Sequence, residues 1–266
     1  MVVMRLVEAG RLDLDSDVSG WLGWRLCHPG FPDAPVSLRQ LLSHTSGISD
    51  GAGYNIPLGE RLQDRLADHW AAAPGTRFAY ANLNYGIIAS VMEAATGERF
   101  DRLMTRLVLQ PLRLDAGYNW SGASDAAIAA AATLYRTGRD ESDWHPHGPW
   151  VAQVDDLRGV RPCPMRTAGP CDLATYAPGS NGTLFSPHGG LRISALGLAK
   201  IGRMLLRGGT VRLMAGFQPG RLLAVSRHHI RNSASSEPSR AWRFAGCRSK
   251  ASSMVGMSVG MVQLSG

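Results

Sequence analysis

Lysine is nearly absent from this chain. Of its 28 basic residues only Lys200 and Lys250 are lysines. A lysine ammonium that tunes a neighbouring group can therefore come from just two positions. Long apolar runs are also missing. None reaches the ~18 residues of a membrane-spanning helix, so no membrane span is expected. The four cysteines form no C-x-x-C pair, which argues against a zinc site, and no metal or cofactor is expected. Acidic residues all but vanish late in the chain: residues 211–266 contain Glu237 and no other.

What remains is ordinary globular composition, 44% apolar and 18% charged. A length of 266 residues suits one large domain or two small ones. The net charge of +7 suggests nucleic acid or a membrane surface, but its distribution does not. Residues 1–210 balance, and residues 211–266 hold eight of the basic residues, so the whole excess lies in the tail. Two units follow: a neutral body over 1–210 and an anomalous basic tail over 211–266. In the tail no helical or strand period persists. It reads either as a disordered arm or as a stretch translated in a shifted frame. It lacks a nucleic-acid motif and has no aromatic interleaving beyond Trp242 and Phe244 among its arginines, so nucleic acid is not the expected partner.

In the body, Val3, Leu6 and Val7 share a face of an amphipathic helix that Gly10 ends. No cap signal precedes it, which suggests a natural start upstream of Met1. MVVMRLVEAGRLDLD is interrupted by Arg5 and Glu8 and does not read as a signal peptide; localisation stays open. Leu12, Leu14 and Val18 alternate with aspartates. Ser37 caps a short helix over 38–43 with its hydroxyl. Leu58, Leu62 and Leu66 predict a helix over 58–70. A helix over 100–109 stops at Pro111. An alanine-rich helix is predicted over 124–135, with Ser124 as its cap. Residues 138–187 read as a long irregular segment, and a helix over 194–206 ends at Gly208-Gly209. Cys163 and Cys171, eight apart in a Pro-rich loop, can close a small disulfide or stay as two thiols. Cys27 and Cys247 have no evident partners.

The stretch 74–97, PGTRFAYANLNYGIIASVMEAATG, carries the best candidates for chemistry. A Pro-Gly turn leads into Phe78-Ala79-Tyr80. Asn82 follows as a plausible helix cap, and Gly97 closes the helical pattern. Taken alone, Tyr80 would be a core tyrosine.

The order and spacing of LVEAGRLDLDSDVSGWL, VSLRQLLSHTSGI, the 74–97 stretch with its continuation GERFDRLMTRLVLQPLRLDAG, and SPHGGLRISALGLAKIGRMLLRGG resemble the serine β-lactamase-related hydrolases. That family contains class C β-lactamases, D-alanyl-D-alanine carboxypeptidases and related esterases. The resemblance covers roughly residues 3–209. It implies an α+β, β-lactamase/transpeptidase-like fold, of which this sequence holds mostly the helical domain and lacks much of the antiparallel sheet. It implies acyl transfer through a serine on β-lactams, D-Ala peptides or esters, so a small molecule or peptide is the substrate class. Three motifs carry that chemistry: S-x-x-K, Y-x-N, and K-T-G or H-x-G on a strand. Tyr80 and Asn82 match the second.

A serine hydroxyl attacks only when a base takes its proton. An unperturbed tyrosine, with a pKa of about 10, is a poor base at neutral pH until a nearby ammonium favours the phenolate. That ammonium has no source here. Gly197 and Cys247 stand three residues before the two lysines, so the sequence has no S-x-x-K. His188-Gly189-Gly190 spells H-x-G, but its surroundings resemble the family's loop and helix ahead of the strand motif. Ser46 in His44-Thr45-Ser46-Gly47 lacks a nucleophile elbow and reads as a structural turn. His145 and His147 could ligate a metal, but no third ligand is evident, and a loop is the plainer reading. The chain is therefore expected to be inactive as it stands. The alternative is a non-catalytic binding protein that uses the fold's groove or its basic tail.

Overall fold

The computed structural model describes residues 1–51, 53–66, 69–137, 147–153 and 172–209. Its centre is helix α5, Leu83–Thr96, preceded in chain order by α1 (Val2–Glu8), α2 (Ser19–Leu22), α3 (Leu38–Leu42) and α4 (Leu62–Arg65). Leu83, Ile87, Ile88, Ala89, Val91 and Met92 are all buried, so α5 is apolar nearly all round and needs cover on every side. Helices α2, α3 and α6 (Phe100–Met104) supply part of it, and a 3-10 turn at Gly182–Phe185 supplies the rest. Gly97 ends α5 at φ 71°, a left-handed conformation that costs glycine little.

The α5 contact with the 3-10 turn is a close backbone approach. A Cβ on Gly86 would lie 2.4 Å from Thr183 Cγ2, and one on Gly182 would lie 2.4 Å from the Ser90 nitrogen. The gap is closed by a hydrogen bond of 2.7 Å from Gly182 N–H to Ser90 Oγ. Leu184 and Phe185, inside the segment expected to be irregular, are fully buried. That segment therefore supplies core as well as loop.

Helix α6 runs on into a π-helical turn at Thr105–Leu109, close to the predicted 100–109. Strand β1 (Gly117–Tyr118) pairs antiparallel with β4 (Leu191–Arg192), Gly117 opposite Arg192. Strand β2 (Leu134–Thr137) pairs antiparallel with β3 (Trp150–Gln153), Leu134 opposite Gln153. Helices α7 (Asp125–Ala129) and α8 (Ala195–Leu206) complete the described elements. The α+β class expected from the sequence holds, with helices dominant and small antiparallel pairs.

Two helix expectations change in extent, and one irregular stretch becomes a strand. The 124–135 helix keeps its Ser124 cap but stops at Ala129, because Leu134 and Tyr135 are recruited to β2. Trp150–Gln153, read as irregular, is the partner strand. The 58–70 helix shrinks to Leu62–Arg65: Arg61 is extended, and Leu62 N–H is claimed by the Ser180 carbonyl at 2.9 Å. Cys27, which showed no evident partner in sequence, is disulfide-bonded. Cys163, Cys171, Cys247, His145, His228 and the tail 211–266 lie outside the described residues.

Candidate functional site

Tyr80 and Asn82 lie in the segment that leads into α5, with Asn82 already in the right-handed helical conformation at the cap position. Two backbone bonds hold this segment to the turn after α3: Gly75 N–H to the Thr45 carbonyl at 2.7 Å and Ala79 N–H to the His44 carbonyl at 2.8 Å. Ala81 is fully buried and anchors the segment between its neighbours. Tyr80 therefore projects outward, 56% exposed, rather than into the core. Its hydroxyl donates to Asn82 Oδ1 at 3.0 Å, so the structure brings the two Y-x-N side chains into direct contact.

Asn82 occupies the cap position of α5, but its side chain makes no capping bond to the helix. Asp50 does that work. Its carboxylate accepts from Asn82 N–H at 2.8 Å, Leu83 N–H at 3.0 Å and Asn82 Nδ2 at 2.9 Å. A carboxylate here also meets the positive end of the helix dipole. The expectation that Asn82 itself serves as a cap is replaced by a cap supplied from 32 residues upstream.

His44 lies behind Tyr80. The ring centroids are 4.5 Å apart and tilted by 35°, and Phe78 and Tyr85 meet the same imidazole edge-on. Its Nδ1 accepts from Ala81 N–H at 3.3 Å and faces Asn84 Nδ2 at 3.0 Å, which places the ring proton on Nε2. Burial lowers the His44 pKa, and the Asp50 charge opposes that shift. Ser46 is fully buried and gives its proton to Asn84 Oδ1 at 2.8 Å. Among the described residues it meets no base, and it is closed to solvent, in line with a structural turn.

The His188 turn reaches the same region. His188 meets the Tyr54 ring edge-on at 4.8 Å; burial lowers its pKa, and Asp50 again opposes this. It stands in the turn before β4 and α8, consistent with a loop ahead of a strand rather than a strand motif. Among the described residues, no group of His, Cys, Asp and Glu is arranged to hold a metal ion. His147 is exposed.

The sequence points to Tyr80 and Asn82; Asp50, His44 and Asn84 join them only through the fold. His44 opens the quoted HTSGI run and Asp50 follows it, but nothing local indicates that the run folds under Y-x-N.

A family model described as Beta-lactamase matches residues 1–255. The chain belongs to the β-lactamase family. Within it, Penicillin-binding protein 4 of Amycolatopsis lactamdurans is 32% identical over 124 residues, 42% of this chain and 31% of that protein. Protein flp of Staphylococcus aureus (strain N315) is 26% identical over 121 residues, 43% of this chain and 24% of its own length. The matches thus span about a quarter to a third of these curated relatives. Among solved structures, a D-stereospecific amidohydrolase from Streptomyces sp. superposes with a TM-score of 0.52 at 20% identity, covering 78% of this chain and 57% of that one. At that identity the likeness concerns the fold.

Proposed function

We propose that this chain carries the Tyr-Asn portion of a serine hydrolase's acyl-transfer site, of the kind that handles β-lactams, D-Ala peptides or esters, and that the 266 residues alone do not turn such substrates over. The observation that carries this reading is the exposed Tyr80 hydroxyl bonded to Asn82 at 3.0 Å, in a sequence with no S-x-x-K. Tyr80 is available to a substrate, but among the described residues no activated serine accompanies it, and Ser46 is sealed in the core. The similarity to a penicillin-binding protein supports the substrate class.

The test is covalent labelling of the purified chain with a fluorescent penicillin and a fluorophosphonate, alongside hydrolysis of a chromogenic cephalosporin and a short-chain ester. No adduct and no turnover are expected. A stable adduct on any serine overturns the reading. Phe78 and Tyr80, both more than half exposed beside His44, favour a second reading as a binding surface without turnover. That reading requires saturable, non-covalent binding of a β-lactam or D-Ala peptide that weakens in Tyr80→Ala.

A further inference from the structure

Asp50 does more in this geometry than end a helix. Its carboxylate has no proton to give, so whatever faces it must donate. Asn82 therefore turns its NH2 group toward Asp50, at 2.9 Å, and its carbonyl oxygen is left facing Tyr80. Tyr80 meets that oxygen as a donor, at 3.0 Å. The backbone bonds from Asn82 and Leu83 to the same carboxylate fix Asp50 in turn, since both of its oxygens are engaged. The orientation of the Y-x-N pair is thus decided by a residue outside the motif.

We infer that Asp50 is the positioning residue of this site: it locks the Asn82 carboxamide with Nδ2 inward and Oδ1 toward Tyr80, and so holds the Tyr80 hydroxyl as a hydrogen-bond donor to Asn82. This rests on the reading of Tyr80 and Asn82 as one acyl-transfer site, and it adds what aligns them. Without Asp50 the carboxamide is free to turn over and present its NH2 group to the phenol oxygen. The Asp50 charge also acts on His44, six residues upstream, and on His188, opposing at each the effect of burial.

The experiment uses the full 266-residue chain with 15N-labelled asparagine. The Asn82 side-chain amide is assigned by its disappearance in Asn82→Gln. In the wild type one Nδ2 proton is expected to be shifted and its exchange slowed roughly tenfold or more relative to Asp50→Ala, the protection expected of a bond to a charged acceptor. The imidazole titrations of His44 and His188 are expected to move to lower pH in Asp50→Ala. Asp50→Glu is expected to recover part of both effects. A purely structural cap would release the backbone amides of Asn82 and Leu83 while leaving the side-chain amide unchanged. Identical Asn82 side-chain exchange in wild type and Asp50→Ala overturns the proposal. If Asp50→Ala does not fold, the isosteric Asp50→Asn provides the same comparison, and a freely exchanging Nδ2 in the wild type is itself a refutation. These readouts need no acylation. A labelled serine would sink the functional reading without touching them, and a free Asn82 amide would sink this inference without restoring activity.

Discussion

Glu93 is the most demanding single residue in the body. It is fully buried in α5. Its carboxyl group accepts from Phe100 N–H at 2.7 Å, Tyr176 hydroxyl at 2.5 Å and Gly179 N–H at 2.8 Å, tying α5 to α6 and to the segment before the 3-10 turn. Burial outweighs these donors and pushes its pKa up to about 7, while the neighbouring Asp101 adds to the rise. The folded chain therefore holds this proton more tightly than the unfolded one, and the stability it confers is present at low pH and lost as pH rises through about 7. His44 and His188 act in the opposite sense: with pKa values lowered from 6.5, they cost stability as pH falls below that value. Comparison with Glu93→Gln separates the two. Between pH 5 and pH 8 the wild type is expected to lose on the order of 3 kcal/mol relative to the variant, read by urea unfolding. Ser46→Ala is a second residue-scale test. It strips the buried Asn84 Oδ1 of its donor and is expected to cost about 1–3 kcal/mol in the same assay.

Among the elements, the short helices depend on their caps because they have few internal bonds. Helix α3 opens with a reciprocal pair: Gln40 N–H to Ser37 Oγ at 3.3 Å and Ser37 N–H to Gln40 Oε1 at 3.0 Å. Ser37→Ala is expected to cost about 1 kcal/mol, measured as a shift in the denaturation midpoint. The effect should reach the site, since α3 leads directly into His44. The contact between α5 and the 3-10 turn is governed instead by bulk. In Gly182→Ala the new methyl group meets the Ser90 nitrogen and the Gly86 carbonyl oxygen, both backbone atoms, at 2.4 and 2.6 Å. Neither can swing aside as a side chain would. A loss of roughly 1–3 kcal/mol or more is expected, with faster amide exchange along the 3-10 turn. Arg99 stiffens the same region through its ion pair with the buried Asp101, at 2.7 Å, and its guanidinium over the Phe185 ring, 5.2 Å from the centroid.

At the scale of the molecule, α8 stands out for what it exposes. Leu196, Leu198, Leu205 and Leu206 are each at least half exposed, while Met204 is buried on its other side. Leu134, Tyr135 and Trp150 do the same on the β2–β3 pair. Exposed apolar side chains of this kind bind hydrophobic probes and promote association. The chain is expected to bind a fluorescent hydrophobic dye under native conditions. The double change Leu198→Lys and Leu205→Lys should reduce that signal with little loss of stability, because these side chains are exposed. No change in dye binding would assign the signal to another surface.

The parts of this protein that its sequence determined are those written within a few residues. The caps at Ser37, Ser124 and Ser194, the stop at Gly97, and the extents of α1, α5 and α8 all follow from bonds between residues three to five apart. The family, and with it the Tyr80–Asn82 pair, was legible for the same reason: a motif is a local string. Tertiary structure decided the rest. Leu134 and Tyr135 left an alanine-rich helical pattern because Gln153 and Ala152 offered a ladder. Phe185 became core in a segment that carries no period of its own. Ile56 N–H found its acceptor at Thr183, 127 residues away, and α5 took its cap from Asp50. A hydrogen bond leaves no trace in the sequence when its partner is distant. Which donor meets which acceptor is settled only once packing has brought the two segments together, and that is why the motif was visible in the chain while the carboxylate that orients it was not.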